Sequence, residues 1–464
     1  MNLLQTIKEN QLVHSFYNGH FGLEKEGLRT TYPSDLATSD HPGSLGDREI
    51  NPHINTDYGE AQPEIITPPL APYTIAHNWL QTLSRVLITN LPEDEYMWPF
   101  SVPCRLPAEG DIRISETTNP ELKEYRLYTA AKYGKKRQLI NGIHINYSLD
   151  QSFLNDLFAV QKDFHSLETL QNDLYSKLAS NFLRYQWLLI YLFGATPIAD
   201  DDFFDAPFFE GKELPVAPMR SLRNSPYGFT NEPGVVVRYD AVEHYTKDLQ
   251  RHVAEGLLRK EREYYGAVRF RGVIKDTESL LESGIQYLEV RSFDNNPFEV
   301  SGLSLDALQF IQLFFLTMLT LDEKADASAT ELGNQLTKQV ASEHPLSKTK
   351  QHEEGRWLFE QMKEMRIELE LPGELWVFVD EMAKQMDKPE ETVAGRIVQQ
   401  LEEGQSLFEM GEELGSTHKE NILNATSLPG FEHLNPAEQQ HLLSILQLGL
   451  DVPLEYIQEV HLEE

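Results

Sequence analysis

The chain has 464 residues and a formal net charge of −33. That excess of carboxylates excludes nucleic acid and anionic membrane as principal partners, because both would repel it. Hydrophobic residues make up 40% of the chain, with 23 Phe and 19 Tyr, which is enough for a real core and excludes wholesale disorder. An anionic substrate stays open, since a bound metal ion inverts the local field. Cys104 is the only cysteine, so intrachain disulfides and CxxC sites are excluded, and it reads as a small buried residue. The opening MNLLQTIKENQLVH lacks the basic start and apolar stretch of a signal peptide. The apolar runs at 187–194 and 303–321 are too short or too polar to span a bilayer. A cytoplasmic protein is expected, as one unit with a sheet-bearing part over about 15–300 and a helical part over about 301–464.

The first element, FGLEKEGLRT (21–30), reads as a strand with Glu24 and Glu26 on one face and Leu23 and Lys25 on the other. INTDYGEAQPEIITP (54–68) carries Asp57, Glu60, Gln62 and Glu64, and its Pro63 predicts an edge strand or a bulge. A helix is expected over 72–91. NGIHINYSL (141–149) alternates Ile143, Ile145 and Tyr147 with His144, Asn146 and Ser148. Residues 151–193 read as helices with a break or two, stopping at Gly194 ahead of Pro197. Residues 198–236, rich in Asp, Pro and Gly, read as long loops. IQYLEVRSF (285–293) opposes Leu288 and Val290 to Tyr287, Glu289 and Arg291. From about 303 onward the pattern is helical and acidic.

Four strands from distant parts of the chain thus share an apolar face and a face bearing carboxylate, imidazole or guanidinium. A solvated sheet face would alternate too, but such faces favour Lys, Thr and mixed charge. Clustered carboxylates are tolerable where something positive sits among them. Glu24, Glu26, Asp57, Glu64, His144 and Glu289 offer more ligands than one Mg²⁺ needs, so two or three ions are expected, with ATP as the usual reason for such a cluster. The imidazole leaves Mn²⁺ open. Arg291, on the same face as Glu289, suits a transferring phosphoryl group. Neither GxxxxGK[ST] nor a strand-following GxGxxG is present, so any ATP is expected to be held through metals.

GLEKEGLR, TDYGEAQPEIITP, MWPFSVPC, INGIHINYSL, FLRYQWLLIYLFGATP, SLRNSPYGFTN and YLEVRSFDNNPF follow one another in an order that resembles bacterial glutamate–cysteine ligase, of the glutamine-synthetase-like superfamily. The chain is most similar to the ligase half of bifunctional glutathione synthetases. The resemblance implies an α+β fold in which a curved antiparallel sheet forms a cup with helices outside it. It implies that Glu24, Glu26, Asp57, Glu64, His144 and Glu289 bind metal. Arg291 would face the phosphoryl group, Arg223 the γ-carboxyl and phosphoryl region, and Tyr58, Tyr125, Ile140, Phe229 and Tyr265 the cysteine substrate. Phe229 departs from the tyrosine common there, losing one hydroxyl contact. Arg269 and Arg271 either hold ATP phosphates or flank a strand.

The implied reaction joins the γ-carboxylate of L-glutamate to the amine of L-cysteine through γ-glutamyl phosphate, with ATP as co-substrate, as the first step toward glutathione. A separate glutathione synthetase working beside the chain stays open as a partner. A glutamate–amine ligase with another acceptor, an ATP-independent metal hydrolase and a non-catalytic relative are the alternatives. The single histidine among the matched positions disfavours the hydrolase, and the unbroken ligand set the non-catalytic relative.

Overall fold

A computed structural model of the chain describes residues 2–231, 234–274, 276–372, 377–453 and 456. Among the described residues, nine strands form two sheets: β1 (His20–Glu26), β2 (Leu28–Thr31), β3 (Asp35–Leu36), β4 (Ile54–Thr56), β5 (Pro63–Ile66), β6 (Glu95–Trp98), β7 (Ile143–Ser148), β8 (Val268–Arg271) and β9 (Tyr287–Phe293). The helices that position the site are α1 (Tyr73–Thr89), α2 (Pro120–Tyr133), α3 (Leu167–Tyr185), α4 (Trp187–Phe193), α5 (Leu305–Thr320), α6 (Ala327–Ala341) and α7 (Leu407–Asn424). The six-stranded sheet has the order β4-β5-β1-β7-β9-β8, with each neighbouring pair antiparallel, and the smaller sheet runs β3-β2-β6. This is the α+β, antiparallel arrangement expected.

Alternation decides which face is buried. Phe21 and Leu23 of β1, Ile143, Ile145 and Tyr147 of β7, and Leu288 and Val290 of β9 are buried in one apolar core. The same core takes Leu83 of α1, Phe182 of α3, Trp187 of α4 and Phe315 of α5, and it continues into Leu358 and Leu442 of the helical part. Burial of each such side chain contributes about 1.5–3 kcal/mol. The expected helices at 72–91, 151–193 and beyond 303 are present, and the end of the last stretch, 457–464, lies outside the described residues. The stretch 198–236 is mostly irregular, with a helical turn at Asp201–Phe204. Cys104 is buried, which pushes its thiol to about 12 and makes it inert.

Two expected strands are each divided. Residues 21–30 break at Gly27, so β1 joins the large sheet and β2 the small one. Residues 54–68 form a hairpin, because the main-chain N–H of Asp57 reaches the carbonyl of Gln62 at 3.0 Å and folds the chain back. Pro63 therefore marks neither an edge nor a bulge. It opens β5, where a missing N–H costs least, while β4 is the edge strand.

The fold-back takes Glu60 away from the carboxylate face. Glu60 is buried and accepts two bonds from Arg48, at 2.6 and 2.8 Å, and one from the His41 N–H at 2.9 Å. Arg126 of α2 completes the scaffold by donating to the carbonyls of Ser115, Thr56 and Asp57. His41 sits beside this knot, and burial, aided by Arg48 and Arg29, depresses its imidazole from 6.5 to about 4. The unfolded chain then takes up a proton first, so stability present above pH 6.5 is lost as pH falls toward 4. The difference amounts to roughly 3 kcal/mol. His41→Asn is expected to flatten the acid limb of a stability–pH curve measured by chemical denaturation; an unchanged limb would exclude His41 as its cause.

Candidate active site

The polar face of the large sheet lines a cleft of about 620 Å³. Glu24, Glu26, Asp57, Glu64, His144, Glu289, Arg223 and Arg291 all line it, so the structure gathers every carboxylate, the imidazole and both arginines expected from sequence. Register explains the assembly. Glu26 lies directly across from Glu64 on β5, Glu24 across from His144 on β7, and Glu289 across from Asn146. Like charges directly opposed destabilise a sheet by about 0.2–1 kcal/mol, so the arrangement is not selected for stability.

Ligand atoms of Glu24, His144 and Glu289 lie within 4.8 Å of one another, as do those of Glu26, Glu64 and His144. The two clusters share His144, whose Nδ1 is 3.1 Å from Glu24 and whose Nε2 is 3.6 Å from Glu26. Asp57 belongs to neither cluster but acts electrostatically on Glu26. Burial, opposed in part by His144, raises the Glu26 carboxyl above its ordinary value, and Asp57 adds to the rise. Burial likewise raises Asp57 against the pull of Arg126 and His144. Such groups favour a proton when alone, and a divalent cation satisfies them equally. Oxygen-rich sets with one imidazole fit hard divalent ions.

Glu289 behaves differently. Burial would raise it, but Arg291, Arg271 and Arg269 outweigh burial and hold it well below the usual carboxylate range. Arg271 donates through Nε at 2.5 Å, and Arg291 Nε stands 3.2 Å from the other oxygen. Arg271 and Arg269 are members of strand β8, paired to β9, rather than flanking a strand. Arg271 lines the cleft. Arg269 instead caps the carbonyls of Arg262 and Tyr264, at 2.9 and 2.5 Å, and is not among the cleft-lining residues.

Of the five residues expected at an acceptor pocket, Ile140, Phe229 and Tyr265 line the cleft. Phe229 and Tyr265 stack with ring centroids 3.7 Å apart, and Asn231 braces Tyr265 through reciprocal bonds to its N–H and carbonyl at 2.7 and 2.6 Å. Tyr58 and Tyr125 do not reach the lining. Tyr58 is buried among apolar residues with Leu139 and Ile140, and Tyr125 lies under the Arg262 guanidinium at 3.9 Å.

Sequence alternation misses one feature of β9. Ile145 pairs with Val290, yet Ile143 pairs with Phe293, so β9 carries an extra residue across from His144. This bulge lets Arg291 and Ser292 both line the cleft and returns Phe293 to the core. Polar side chains hold it: Ser292 donates to Gln186 at 2.9 Å, Asn224 donates to the Ser292 carbonyl at 2.9 Å, and Gln186 reaches Asn334 of α6 at 3.3 Å. Gln186 sits at the junction of α3 and α4, and its polarity inside the apolar run YQWLLIYL is the one signal that marked it. Asn334 and Lys338 of α6 also line the cleft, so the helical part contributes to the site.

Among the described residues, no helix is long and apolar enough to cross a membrane. The family model for glutamate-cysteine ligase matches residues 4–340. The chain is 40% identical over 453 residues to a glutathione biosynthesis bifunctional protein of Pasteurella multocida, covering 97% of this chain and 59% of that protein. It is 35% identical to the protein of the same description from Enterococcus faecalis, covering 98% of this chain and 60% of the relative. The crystal structure of a bifunctional glutathione synthetase from Pasteurella multocida superposes with a TM-score of 0.90 at 39% identity, covering 97% of this chain and 58% of that one. A glutamate–cysteine ligase from Francisella tularensis, solved in complex with AMP, gives a TM-score of 0.78 at 25% identity and covers 95% and 97% of the two chains. The chain therefore spans about three fifths of the length of the bifunctional relatives it matches. It belongs to the glutamate–cysteine ligase family.

Proposed function

We propose that the chain ligates the γ-carboxylate of L-glutamate to the amine of L-cysteine, with ATP converted to ADP and phosphate through γ-glutamyl phosphate. The observation that carries this reading is the pair of carboxylate clusters sharing His144, placed in one cleft with Arg291 and Arg223. Residues 1–464 act in it as one catalytic unit, in which α6 contributes to the wall of the cleft.

Glu24, His144 and Glu289 are suited to hold one divalent ion, and Glu26, Glu64 and His144 another, with Mg²⁺ the expected metal. Ions held there supply positive charge beside the phosphate oxygens of ATP. Arg291, anchored by Glu289, presents its remaining donors to the phosphoryl group as it moves between oxygens. Arg223 makes no ion pair among the described residues, which leaves its fork available to the substrate's γ-carboxylate and then to the acyl phosphate. Arg271 keeps Glu289 ionised and in place. Phe229, Tyr265 and Ile140 form the wall against which the acceptor's side chain packs, and they exclude water from the acyl phosphate. The protein thus works by positioning and charge screening, with no covalent enzyme intermediate.

ADP release with Mg-ATP and L-glutamate, measured with and without L-cysteine and with the product weighed by mass spectrometry, tests the proposal. The expected result is cysteine-dependent ADP release with γ-glutamylcysteine formed. Release that requires a different amine would replace the acceptor, and no turnover with any amine would overturn the ligase reading.

A further inference from the structure

Arg223 lies in a loop, where a long side chain ordinarily samples several rotamers, yet two glycines from separate segments confine it. A Cβ built on Gly142 would stand 2.5 Å from Cζ, 2.5 Å from Nη2 and 2.6 Å from Nε of Arg223. Three guanidinium atoms equidistant from one point mean that the group lies face-on against the backbone just ahead of β7. A Cβ on Gly228 would collide with the Arg223 carbonyl oxygen at 1.9 Å, so the arginine's own main chain is pressed into the turn that follows it. The φ of Gly142 is not positive, so its backbone suits other residues, and what it lacks room for is a side chain.

Asp294, just past β9, is buried and otherwise unused. Its Oδ2 accepts from the Ala195 N–H at 2.8 Å and the Thr196 hydroxyl at 2.9 Å, while its Oδ1 has no hydrogen-bond partner. Of the charged groups acting on Arg223, Asp294 acts most strongly, ahead of Glu26. The main-chain N–H of Glu26 donates to the Gly142 carbonyl at 3.0 Å, so one residue touches both the acidic strand and the arginine.

Building on the ligase reading, we infer that Gly142 and Asp294 are positioning residues for Arg223. Gly142 is the slot against which the guanidinium lies flat, and Asp294 is the charge that keeps it there, so that the free edge of the fork meets the carboxylate of glutamate. A Cβ at Gly142 displaces the guanidinium by about 1 Å, a misplacement that typically costs on the order of 100-fold in rate.

The test is a double-substitution cycle on the full chain: wild type, Gly142→Ala, Arg223→Lys and the pair together. Lysine has no planar group to strike the new methyl. Gly142→Ala is expected to lower kcat/KM for L-glutamate by about 100-fold while KM for ATP moves less than about twofold. In the Arg223→Lys background the same substitution is expected to cost less than about twofold. Equal losses in both backgrounds, or parallel losses for glutamate and ATP, would overturn the inference. Asp294→Asn offers an independent arm, because the amide oxygen can keep both bonds at Oδ2 while the charge is lost. Its expected loss of about tenfold must likewise vanish beside Arg223→Lys. Calorimetric titration with L-glutamate repeats the comparison without turnover, with binding weakened by either substitution only when Arg223 is present. Absence of wild-type turnover with intact glutamate binding would thus sink the ligase reading alone, and uncoupled substitutions the positioning alone.

Discussion

Glu26→Gln is expected to abolish ligase turnover, by on the order of 1,000-fold or more, while the metal-free protein becomes more stable. Glu26 belongs to the cluster with Glu64 and His144, and an amide keeps its shape but removes the anionic ligand. The stability gain has two sources. Glu26 is 8% exposed and pays for burial of its charge, and it opposes Glu64 directly across the β1–β5 pair. Relief of the cross-strand repulsion alone is worth up to about 1 kcal/mol. A carboxyl raised above its unfolded value contributes stability at low pH that is lost as pH rises through and beyond the ordinary carboxylate range, and the glutamine variant lacks that loss. ADP release, thermal unfolding without metal and Mn²⁺ titration form one set of measurements. Near-normal turnover, or undiminished metal affinity, would remove Glu26 from the ligand set.

Arg291→Met is expected to cost about 1,000-fold in kcat, and Arg291→Lys an intermediate amount, because an arginine on a transferring phosphoryl group typically supplies 10³ or more. The side chain stands at the crossing of the site's forces. It pairs with Glu289, faces the Tyr265 ring at 5.3 Å, and acts on Glu24, Glu26 and Asp57. Lysine keeps the charge and loses the planar fork, so it separates charge screening from bidentate contact. A kcat within tenfold of wild type for the methionine variant would place the phosphoryl group elsewhere in the cleft.

Much of this site is legible along the chain because alternation in a strand is local. Ile143, Ile145 and Tyr147 against His144 and Asn146 already separate core from cleft, and Leu288 and Val290 against Glu289 do the same. The six residues expected to bind metal and the two arginines, read from residue type and motif order, converge in one cavity. What the local pattern does not show depends on where the chain turns. Glu60 follows Asp57 by three residues yet faces Arg48, since the hairpin between β4 and β5 folds between them. Tyr58 and Tyr125 share a neighbourhood with the cleft without entering its wall. The β9 bulge, which brings Arg291 and Ser292 to the same side, leaves no mark in a two-residue pattern.

By itself the sequence determined the chemical kind of this protein: acidic strand faces, two arginines, no glycine cradle for phosphates, and membership of a ligase family. Those follow from residue identity and a period of two, which neighbouring residues settle between themselves. Tertiary structure alone decided which groups meet. Glu24 and His144 stand 120 positions apart and touch because antiparallel register sets β1 against β7. Glu289 is clamped by Arg271 because β8 adds itself beyond β9. Arg223 is aimed by a glycine and a carboxylate from two other segments. Contacts between distant segments arise when burial of the apolar faces drives the strands into one sheet, and the polar faces then arrive together on its other side.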